Sequence, residues 1–350
     1  MLFGELITDR VITGKQGIEE LYNKSFYGRP KGDLLEISLT EAAYLILMNK
    51  IAVELEGKVL GFKEFFLKAS SLVKNFELHY IVYKDMRERG YFIQPSVTGF
   101  RVYPRGGRPG KMPAEYFVYV ISERAPLYLV GLKKNLDAAD NLNKSLVLAI
   151  VDEDSDITYY GAKKTTPSGS YKLEWKKHLT IASLLEDRVV VWEPEASALL
   201  HDKGFFGKYI GDGYLQLSLV ESGYLLKKEV FGIEKQGNGK LNFDGFSGIA
   251  SEIESDFMIK FMAYEALRDS GIVPKTGFKF GSHFRVYKNF ENISTITHSD
   301  YLVHAIEHDH VFSLQQLSRA VRLANSVRKE MIYAVADSDV HFIVIGRIRL

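Results

Sequence analysis

Hydrophobic and polar residues follow two different periods along the chain, and together these periods predict a mixture of strands and helices. Short runs rich in β-branched and aromatic residues predict strands, among them LLEISL (34–39), EYFVYVI (115–121) and SLVLAIVD (145–152). Apolar residues spaced by three and four predict helices in GFKEFFLKAS and in NFELHYIVYKDMRERG, where Gly90 suits the left-handed helix stop. The pattern therefore indicates a mixed α/β (α+β) protein.

Three further helices follow from capping residues and apolar stripes. One should begin at Thr40, which can cap its own helix, and run to roughly Val53. A second is expected around 128–142 and a third at 314–326, where Ser313 and Gln316 predict a capping box. Two matching apolar stripes lie on these last two helices: Leu129, Leu132, Leu136 and Ala139 on one, Leu314, Leu317, Val321 and Ala324 on the other.

The order of elements occurs twice, which predicts a tandem duplication. SFYGRPKGDLLEISLTEAAYLI (25–46) matches GFFGKYIGDGYLQLSLVESGYLL (204–226), and LNKSLVLAIVD (142–152) matches VRKEMIYAVAD (327–337). FRVY occurs at 284–287 and, within GFRVY, at 100–103. Each half should consist of an N-terminal α/β module followed by a second α/β domain. The expected limits are 1–77, 78–165, 166–255 and 256–350, with KKTTPSGSYKLEW (163–175) as the linker between halves.

Composition excludes several classes of function. The chain has 350 residues, a net charge of +1 and no cysteine, which excludes disulfides, thiolate catalysis and cysteine-based metal sites. A balanced charge means that any nucleic-acid site must be a local patch. Acidic residues occur early in MLFGELITDRV, and no apolar run approaches the length of a membrane span, so we expect a cytoplasmic protein with no membrane partner.

The last quarter of the chain holds a phenol, an imidazole and an ammonium that could form one site: Tyr287, His298 and Lys329. Such a set can supply a base, an acid and a fixed positive charge, and can cleave a phosphodiester without a metal. Taken singly, each residue has an ordinary structural explanation, as a packed strand aromatic, a loop histidine or a solvated lysine near a helix end. Comparison of the two copies favours function.

Only one copy retains the whole set. Tyr103 and Lys144 stand where the second copy has Tyr287 and Lys329, but Pro113 stands where it has His298. Proline cannot transfer a proton, so the first copy cannot run acid–base chemistry with these residues. Arg322 is likewise replaced by Asp137, which would repel a phosphate. The sequence thus predicts one competent copy and one degenerate copy.

The first copy has an acidic loop of its own, formed by Asp152, Glu153, Asp154 and Asp156. Its counterpart in the second copy, around ADSDVHF (336–342), is shorter and less acidic. The loop could dock into a basic pocket elsewhere, or it could be a solvated turn between two strands. The sequence leaves both interpretations open, and it also leaves open whether docking would occur within one chain or between two.

Two other motifs suggest different chemistry. His304, His308 and His310, with Glu307 and Asp309 nearby, could serve a metal-dependent nuclease, although solvated histidines are the simpler interpretation. RGGRPGK (105–111) lacks the spacing of a phosphate-binding P-loop and is interpreted as an exposed basic turn. A third alternative is an RNA-binding scaffold subunit in which even the second copy is silent.

The chain resembles the archaeal tRNA-splicing endonucleases, in particular their two-repeat, homodimeric form. The motifs that carry the resemblance are FRVY ending at Tyr287, HSDYLV beginning at His298 and SVRK ending at Lys329, together with KFG before the first strand. The resemblance extends over both halves and is most specific in 277–337. It implies a tRNA-intron-endonuclease type of catalytic domain in each half.

Several roles are implied by this resemblance. Tyr287 would act as general base on a ribose 2′-hydroxyl, His298 as general acid on the leaving 5′-oxygen, and Lys329 as stabiliser of the charged phosphorane. Arg322 and Arg347 would grip a bulged base, and the acidic loop would join two subunits. The substrate would be precursor tRNA with a bulge–helix–bulge intron boundary, with no cofactor, no metal and no DNA partner.

The expected chemistry has consequences for the tyrosine and for the products. A free tyrosine ionises near pH ~10, so a nearby cation such as Lys329 is expected to lower the pKa of Tyr287. Attack by the internal hydroxyl would leave a 2′,3′-cyclic phosphate and a 5′-hydroxyl, and it cannot occur on DNA.

Overall fold

The computed structural model of the protein describes residues 2–96, 99–172, 175–237, 239–295 and 298–350. The duplication is seen directly, because two six-stranded sheets with the same strand topology alternate with the two halves of one ten-stranded sheet. We call the four units the first front module, the first rear domain, the second front module and the second rear domain. The mixed α/β class and the tandem repeat are confirmed.

The first front module is a six-stranded sheet in the order β3-β4-β2-β1-β5-β6, covered by helices. Its strands are β1 (Leu2–Ile7), β2 (Arg10–Thr13), β3 (Arg29–Lys31), β4 (Leu34–Ser38), β5 (Ile51–Leu55) and β6 (Lys58–Leu60). Its helices are α1 (Lys15–Gly17), α2 (Asn23–Ser25), α3 (Leu39–Leu47) and α4 (Phe62–Leu72), with a π-helical turn, Ile18–Tyr22, between the first two.

The helix predicted from Thr40 to Val53 is too long and has a different cap. Ser38 is the N-cap: its hydroxyl accepts a hydrogen bond from the amide N–H of Glu41, whose carboxylate accepts one from the N–H of Ser38. The helix ends at Leu47, and Asn49 then turns the chain with φ = 54°. The β-branched and apolar residues that follow pair with β1 as the parallel strand β5. An asparagine in the left-handed region ends the helix where periodicity alone would extend it.

The first rear domain follows with α5 (Phe76–Glu88) and α6 (Leu129–Asn141). The predicted limit at residue 77 falls inside α5. The strands of this domain are β7 (Ile93–Ser96), β8 (Gly99–Val102), β9 (Tyr116–Ser122), β10 (Leu127–Tyr128), β11 (Ser145–Val151) and β12 (Ile157–Thr165).

The second half repeats this order. Its front module contains β13 (Ile181–Leu184), β14 (Val189–Val191), β15 (Lys208–Gly211), β16 (Tyr214–Leu217), β17 (Gly232–Lys235) and β18 (Gly239–Leu241). The helices of that module are α7 (Pro194–Ala198), α8 (Leu219–Lys227) and α9 (Phe243–Ile253), and Leu199–Lys203 is π-helical.

The second rear domain begins with α10 (Phe257–Asp269), and its other helix is α11 (Leu314–Ser326). Its strands are β19 (Val273–Thr276), β20 (Phe284–Tyr287), β21 (Tyr301–Glu307), β22 (Val311–Phe312), β23 (Glu330–Ala336) and β24 (Val340–Arg347). Two short 3-10 turns, Phe278–Phe280 and Ile293–Thr295, lie beside β20.

The two rear domains share one ten-stranded sheet, in the order β19-β20-β21-β23-β24-β12-β11-β9-β8-β7. The join is the antiparallel pairing of β12 with β24, in which Tyr160 faces Arg347 and Thr165 faces Phe342. Because these central strands run in opposite directions, the two copies are related by an approximate two-fold rotation. Corresponding points of the copies therefore lie toward opposite ends of the sheet.

A leucine-rich layer holds the copies together across this join. The predicted stripes on α6 and α11 are buried, and they share one hydrophobic core with side chains from β11, β12, β23 and β24. The predicted helix at 314–326 is thus confirmed. The capping box at its start is wrong, because Ser313 is the N-cap residue but its side chain makes no capping hydrogen bond.

Within the ranges that the structure describes, every helix is too short or too polar to cross a membrane.

Candidate active site

Tyr287 is the last residue of β20 and is only 6% exposed. Its ring packs edge-on against Phe205, with 5.6 Å between centroids, and shares a small apolar cluster with Val273 and Phe290. Phe205 belongs to the second front module, so that module helps to fix the phenol. Among the described residues, none forms a hydrogen bond with the Tyr287 hydroxyl.

Lys329 stands where α11 has given way to β23. Arg328 before it adopts φ = 57°, and the amide N–H of Lys329 donates to the carbonyl of Ala324 at 2.9 Å, which closes the helix. The Lys329 ammonium, which is half-buried, donates to the carbonyl oxygen of Ser299. Since Ser299 follows His298 directly, this contact brings the ammonium to the loop that carries the exposed imidazole.

The strand registers place the candidate residues in one row. Val286 faces Tyr301, Tyr301 faces Glu330, and Met331 faces Ile345. Continued to the strand ends, these registers align Tyr287, Asp300, Lys329 and Arg347 across β20, β21, β23 and β24. Adjacent strands lie about 4.8 Å apart, so Tyr287 and Lys329 stand two strands apart with the His298–Asp300 segment between them. The structure thus brings the three candidate catalytic groups to one end of the sheet.

The electrostatic setting of Tyr287 differs from the prediction. Burial raises the pKa of Tyr287, and the positive charge of Arg285, not that of Lys329, is the influence that opposes the rise. Arg285 lies on the same face of β20, with its guanidinium carbon 5.9 Å from the centroid of the Tyr287 ring. Desolvation of the phenolate outweighs this cation. The expectation that Lys329 lowers the pKa of Tyr287 is therefore wrong.

The first copy lacks this arrangement. The Tyr103 hydroxyl donates to Oε1 of Gln94 at 2.9 Å, and Lys144 turns back to the carbonyl of Leu142 at 3.3 Å, at the end of its own helix. Pro113 occupies the position of His298 in the segment before β9. The first copy keeps the fold of the site but joins its tyrosine and lysine to other partners.

The two candidate base-gripping residues, Arg322 and Arg347, also differ between copies. Both are exposed, Arg322 on α11 and Arg347 at the end of β24. Their counterparts are Asp137 on α6 and Lys164 on β12, which form an ion pair. Among the described residues, no acidic side chain lies within ion-pair distance of either arginine. The second copy thus leaves two cations unpaired where the first has a closed pair.

A cavity of about 690 Å³ lies between the second front module and the second rear domain. Five cationic residues line it, against three acidic ones: Arg188, Lys208, Lys260, Lys275 and Arg285, with Asp187, Glu221 and Glu254. Its counterpart in the first half is smaller, about 360 Å³, and is lined by three of each sign: Arg10, Arg29 and Arg101, with Asp9, Glu36 and Glu41. Of these two cavities, only the one in the second half is lined by more cationic than acidic residues.

A buried ion pair forms one wall of the larger cavity. The ammonium of Lys275 lies 2.7 Å from Oε1 of Glu221, and both side chains are almost fully buried. Burial would raise the pKa of Glu221, but the charge of Lys275 and the amide N–H groups of Ser218 and Gly207 hold it below the usual value. In the first half, burial raises the pKa of the corresponding Glu41, which has no lysine beside it.

The acidic loop is a compact turn between β11 and β12. Oδ1 of Asp152 accepts the amide N–H groups of Asp154 at 3.0 Å and Asp156 at 2.8 Å. Glu153 is paired with Arg124, which leaves three exposed carboxylates without a cationic partner among the described residues. β12 and β20, which borders the cavity, are four strand steps apart, or roughly 19 Å. A turn of this length cannot reach the cavity of its own chain.

The histidines offered as metal ligands are dispersed. His304 stacks on His283 with 4.0 Å between ring centroids, while His310 packs on Phe312. Burial lowers the pKa of His283 to about 3, with His304 acting in the same direction, so this pair is neutral at pH 7. In the part of the chain that the structure describes, no group of three or more ligating side chains is placed to hold a metal ion.

Arg285 is the site residue that sequence reasoning missed. Its Nε is buried without a hydrogen-bond partner among the described residues, and the side chain lines the cavity while lying beside Tyr287. The residue stands inside the FRVY motif, two positions before the tyrosine, and residues two apart on a strand share a face. That spacing could have identified it.

Both types of family sequence model that match the chain match it twice. The model of the tRNA intron endonuclease catalytic C-terminal domain matches residues 76–159 and 257–342, and that of the tRNA intron endonuclease N-terminal domain matches 3–66 and 180–247. These ranges correspond to the rear domains and the front modules.

Curated archaeal proteins are similar over nearly the full length. The tRNA-splicing endonuclease of Methanococcoides burtonii is 53% identical over 99% of both chains. That of Methanosarcina mazei is 50% identical over 100% of this chain and 99% of its own. The tRNA-splicing endonuclease of Haloferax volcanii is 34% identical over 92% of this chain and 91% of its own.

Proposed function

Because this chain belongs to the tRNA intron endonuclease family and carries the family's catalytic domain twice, we propose that it excises introns from precursor tRNA by cutting at bulge–helix–bulge boundaries. The observation that carries the proposal is the row at the end of the second rear sheet. Tyr287, the His298 loop and Lys329 meet there, whereas the first copy has Pro113 and a lysine turned away. Each chain therefore has one active site, in its second copy.

The proposed reaction is an internal transesterification that needs no metal. Tyr287 takes the proton of the ribose 2′-hydroxyl as the oxygen of that hydroxyl bonds to phosphorus. His298 gives a proton to the 5′-oxygen as the old P–O bond breaks, and Lys329 stabilises the charged phosphorane. The products are a 2′,3′-cyclic phosphate and a 5′-hydroxyl. The neighbouring hydroxyl gains the proximity of an intramolecular nucleophile, and its absence from DNA restricts the reaction to RNA.

Tyr287 needs help to serve as a base, since burial raises its pKa. Arg285 supplies a fixed positive charge 5.9 Å from the ring, and this charge favours the phenolate. Contact with Phe205 holds the ring in place. We assign Arg285 as a positioning residue that acts through Tyr287.

Arg322 and Arg347 are the proposed grip on a bulged nucleotide. Guanidinium planes stack on bases that have left the helix, and this mode selects for shape more than for sequence. The support is the contrast between copies, because the first closes the same two positions with the Asp137–Lys164 pair. Two arginines beside Lys329 that form no ion pair with the described residues suit an anionic ligand.

We further propose that the active form is a homodimer in which the acidic loop of each chain enters the basic cavity of its partner. Charge supports this match, since three carboxylates of the loop are unpaired and the cavity of the second half carries the excess of cations. Distance within the sheet prevents the loop from reaching its own cavity. A two-fold dimer then pairs each loop with one cavity and gives two active sites for the two intron boundaries.

End-group analysis tests the proposed chemistry directly. A bulge–helix–bulge RNA is incubated with the protein in excess chelator, beside an RNA whose cleavage-site riboses are deoxy. The expected result is cutting in chelator, cyclic phosphate and 5′-hydroxyl ends, and no cutting of the deoxy RNA. Loss of activity in chelator would favour a metal-dependent nuclease. Absence of cutting under all conditions would favour a scaffold subunit.

A further inference from the structure

Phe278 is an exposed aromatic residue in the second rear domain, and the function of the catalytic row does not explain it. Its side chain is 88% exposed, the largest fraction among the large hydrophobic residues that the structure describes, and the next are Val130 at 66% and Leu67 at 62%. A phenyl ring left in water gives up the favourable free energy of burying apolar surface. A single exposed apolar ring is common on protein surfaces, but this ring also borders the basic cavity and directly precedes Lys279.

The turn that holds Phe278 is fixed by its backbone. Residues 278–280 form a 3-10 turn, in which Phe280 N–H donates to Gly277 O at 2.7 Å and Gly281 N–H donates to Phe278 O at 3.0 Å. Gly277 has no room for a side chain, because a Cβ there would lie 2.4 Å from Oγ of Ser282. Gly281 takes φ = 59° and ends the turn. The turn is therefore held in one backbone conformation, and the ring that it carries is exposed to solvent.

The connection that carries this turn is longer in the second copy than in the first. In the first rear domain, the connection within the Pro95–Phe100 pair consists of residues 96–99. In the second, the corresponding connection runs from 277 to 283, between the Thr276–Phe284 pair. The second connection is three residues longer than the first, and it carries Phe278 and Lys279.

The turn is braced against the helix that carries Arg322. Phe280 packs on the core beneath α11, and a Cβ at Gly281 would lie 3.8 Å from Cδ2 of Leu323, the residue after Arg322. Arg319 is one helical turn before Leu323 on the same side of α11. In the described ranges, Lys279, Arg319 and Arg322 have no acidic partner within ion-pair distance. An exposed aromatic ring followed by an unpaired lysine, in a turn that packs against a helix with two unpaired arginines, has the composition of a single-strand binding platform.

We propose that Phe278 is a stacking platform for an unpaired nucleobase of the RNA substrate, a contact separate from the Arg322–Arg347 grip. This inference rests on the proposed function. The other candidate occupant is the partner's acidic loop, since Phe278 also borders the basic cavity. That loop offers only the side chains of Asp152, Glu153, Asp154, Ser155 and Asp156, which give a phenyl ring no apolar surface to cover it. An unstacked base provides such a surface.

The test measures RNA binding, not cleavage, in protein made inactive by His298→Ala. A bulge–helix–bulge RNA carries 2-aminopurine at one bulge position at a time, so that stacking quenches its fluorescence. Phe278→Ala and Phe278→Leu are compared with Phe278→Trp, and Leu67→Ala serves as the exposed apolar control. We expect the Ala and Leu variants to weaken binding about ten- to hundredfold and to lose quenching at one position. Phe278→Trp should retain both.

A second RNA, abasic at the quenched position, completes the design. The protein with Phe278 and the Phe278→Ala variant should bind this abasic RNA with equal affinity. Unchanged affinity of Phe278→Ala for the intact RNA would overturn the proposal, as would an equal loss on the abasic RNA. Sedimentation of the same variants identifies the remaining alternative: a weakened dimer with unchanged binding per dimer would assign Phe278 to the partner chain and overturn the proposal. If the inactive protein does not prefer bulged RNA over a plain duplex, the proposed function itself fails.

Discussion

Lys164 and Asp137 form an ion pair in the first rear domain, at the two positions that Arg347 and Arg322 occupy in the second. A second carboxylate, that of Asp140, lies 3.4 Å from the same ammonium. The duplicated fold thus brings a helix residue and a strand residue together in both copies. In one copy they neutralise each other, and in the other both are arginines with no acidic partner among the described residues.

This relationship predicts that the second copy can be closed as the first is. The double variant Arg322→Asp with Arg347→Lys should form an internal ion pair and weaken the binding of bulged RNA by at least tenfold. One cation is replaced by a carboxylate, and the other is neutralised by that carboxylate. Fluorescence anisotropy at two salt concentrations measures the effect. Asp137→Ala with Lys164→Ala is the matched control, and it should bind RNA as the wild type does. Equal loss in both would contradict a grip specific to the second copy.

The proposed role of His298 as general acid predicts a large effect of its removal on the cleavage rate. His298→Ala should slow single-turnover cleavage by about 10²- to 10⁴-fold, the usual contribution of a positioned acid, with RNA affinity unchanged. His308→Ala is the control, because this histidine lies in a turn away from the row. A rate that falls equally in both variants, or that depends on added divalent metal, would favour the metal-dependent alternative.

The acidic loop predicts a salt-sensitive dimer. Replacing Asp152, Asp154 and Asp156 by Asn should raise the dimer dissociation constant by at least tenfold at low salt, because charge pairing in the partner's cavity is lost. Sedimentation at graded protein concentration measures this constant. The control is Asp337→Asn with Asp339→Asn in the equivalent loop of the second copy, which should leave it unchanged. A monomer already present in the wild type at micromolar concentration would argue against the loop's role.

Arg285 predicts a shift in the pH profile. Removing its charge in Arg285→Gln leaves burial unopposed, so the pKa of Tyr287 should rise further. A base must be deprotonated to act, so the rising limb of cleavage with pH should move to higher pH. Arg285→Lys should restore part of the shift, and Tyr287→Phe should abolish the limb. A profile that keeps its position in Arg285→Gln would remove this residue from the mechanism.

The buried Lys275–Glu221 pair, which the first half lacks, predicts that removing Lys275 lowers the stability of the protein. Lys275→Gln places in the second half the residue type that Gln94 provides in the first, and it leaves Glu221 as an uncompensated buried charge. Unfolding free energy should fall by about 3–5 kcal/mol at pH 7, as measured by urea titration. Because the folded-state pKa of Glu221 is lowered, the pair's contribution is present above the unfolded pKa and is lost as pH falls through the folded value. The deficit of the variant should therefore shrink in acid, and Gln94→Ala is its control.

The sequence predicts most of the rear-domain elements and the pairing of the copies, because the same pattern occurs in both copies and the two occurrences can be compared. The stripes of α6 and α11 are an example: either alone fits a surface helix, but two matched stripes predict a shared layer. Prediction fails where one residue's backbone decides the outcome. Asn49 ends α3 early, and Ser313 does not form the box that its spacing favours.

Only part of the candidate site could be predicted from the sequence. Motif spacing identifies Tyr287, His298 and Lys329 as candidates but says nothing of the environment of the phenol. Phe205, which packs on it, comes from another module, and Arg285 rather than Lys329 provides the opposing charge. The partner of Asp137 also escapes sequence comparison, because Lys164 and Arg347 become equivalent only once the registers of β12 and β24 are known.

Because β12 pairs with β24, the two halves should stay together without the polypeptide segment that connects them. Six residue pairs and a continuous leucine layer cross that seam, whereas the covalent path is a single strand of residues after Thr165. A protease nick in that path would leave two fragments that stay bound as one particle. Either fragment alone would expose an unpaired strand edge and half of the leucine-rich layer, so the first copy stabilises the fold of the second.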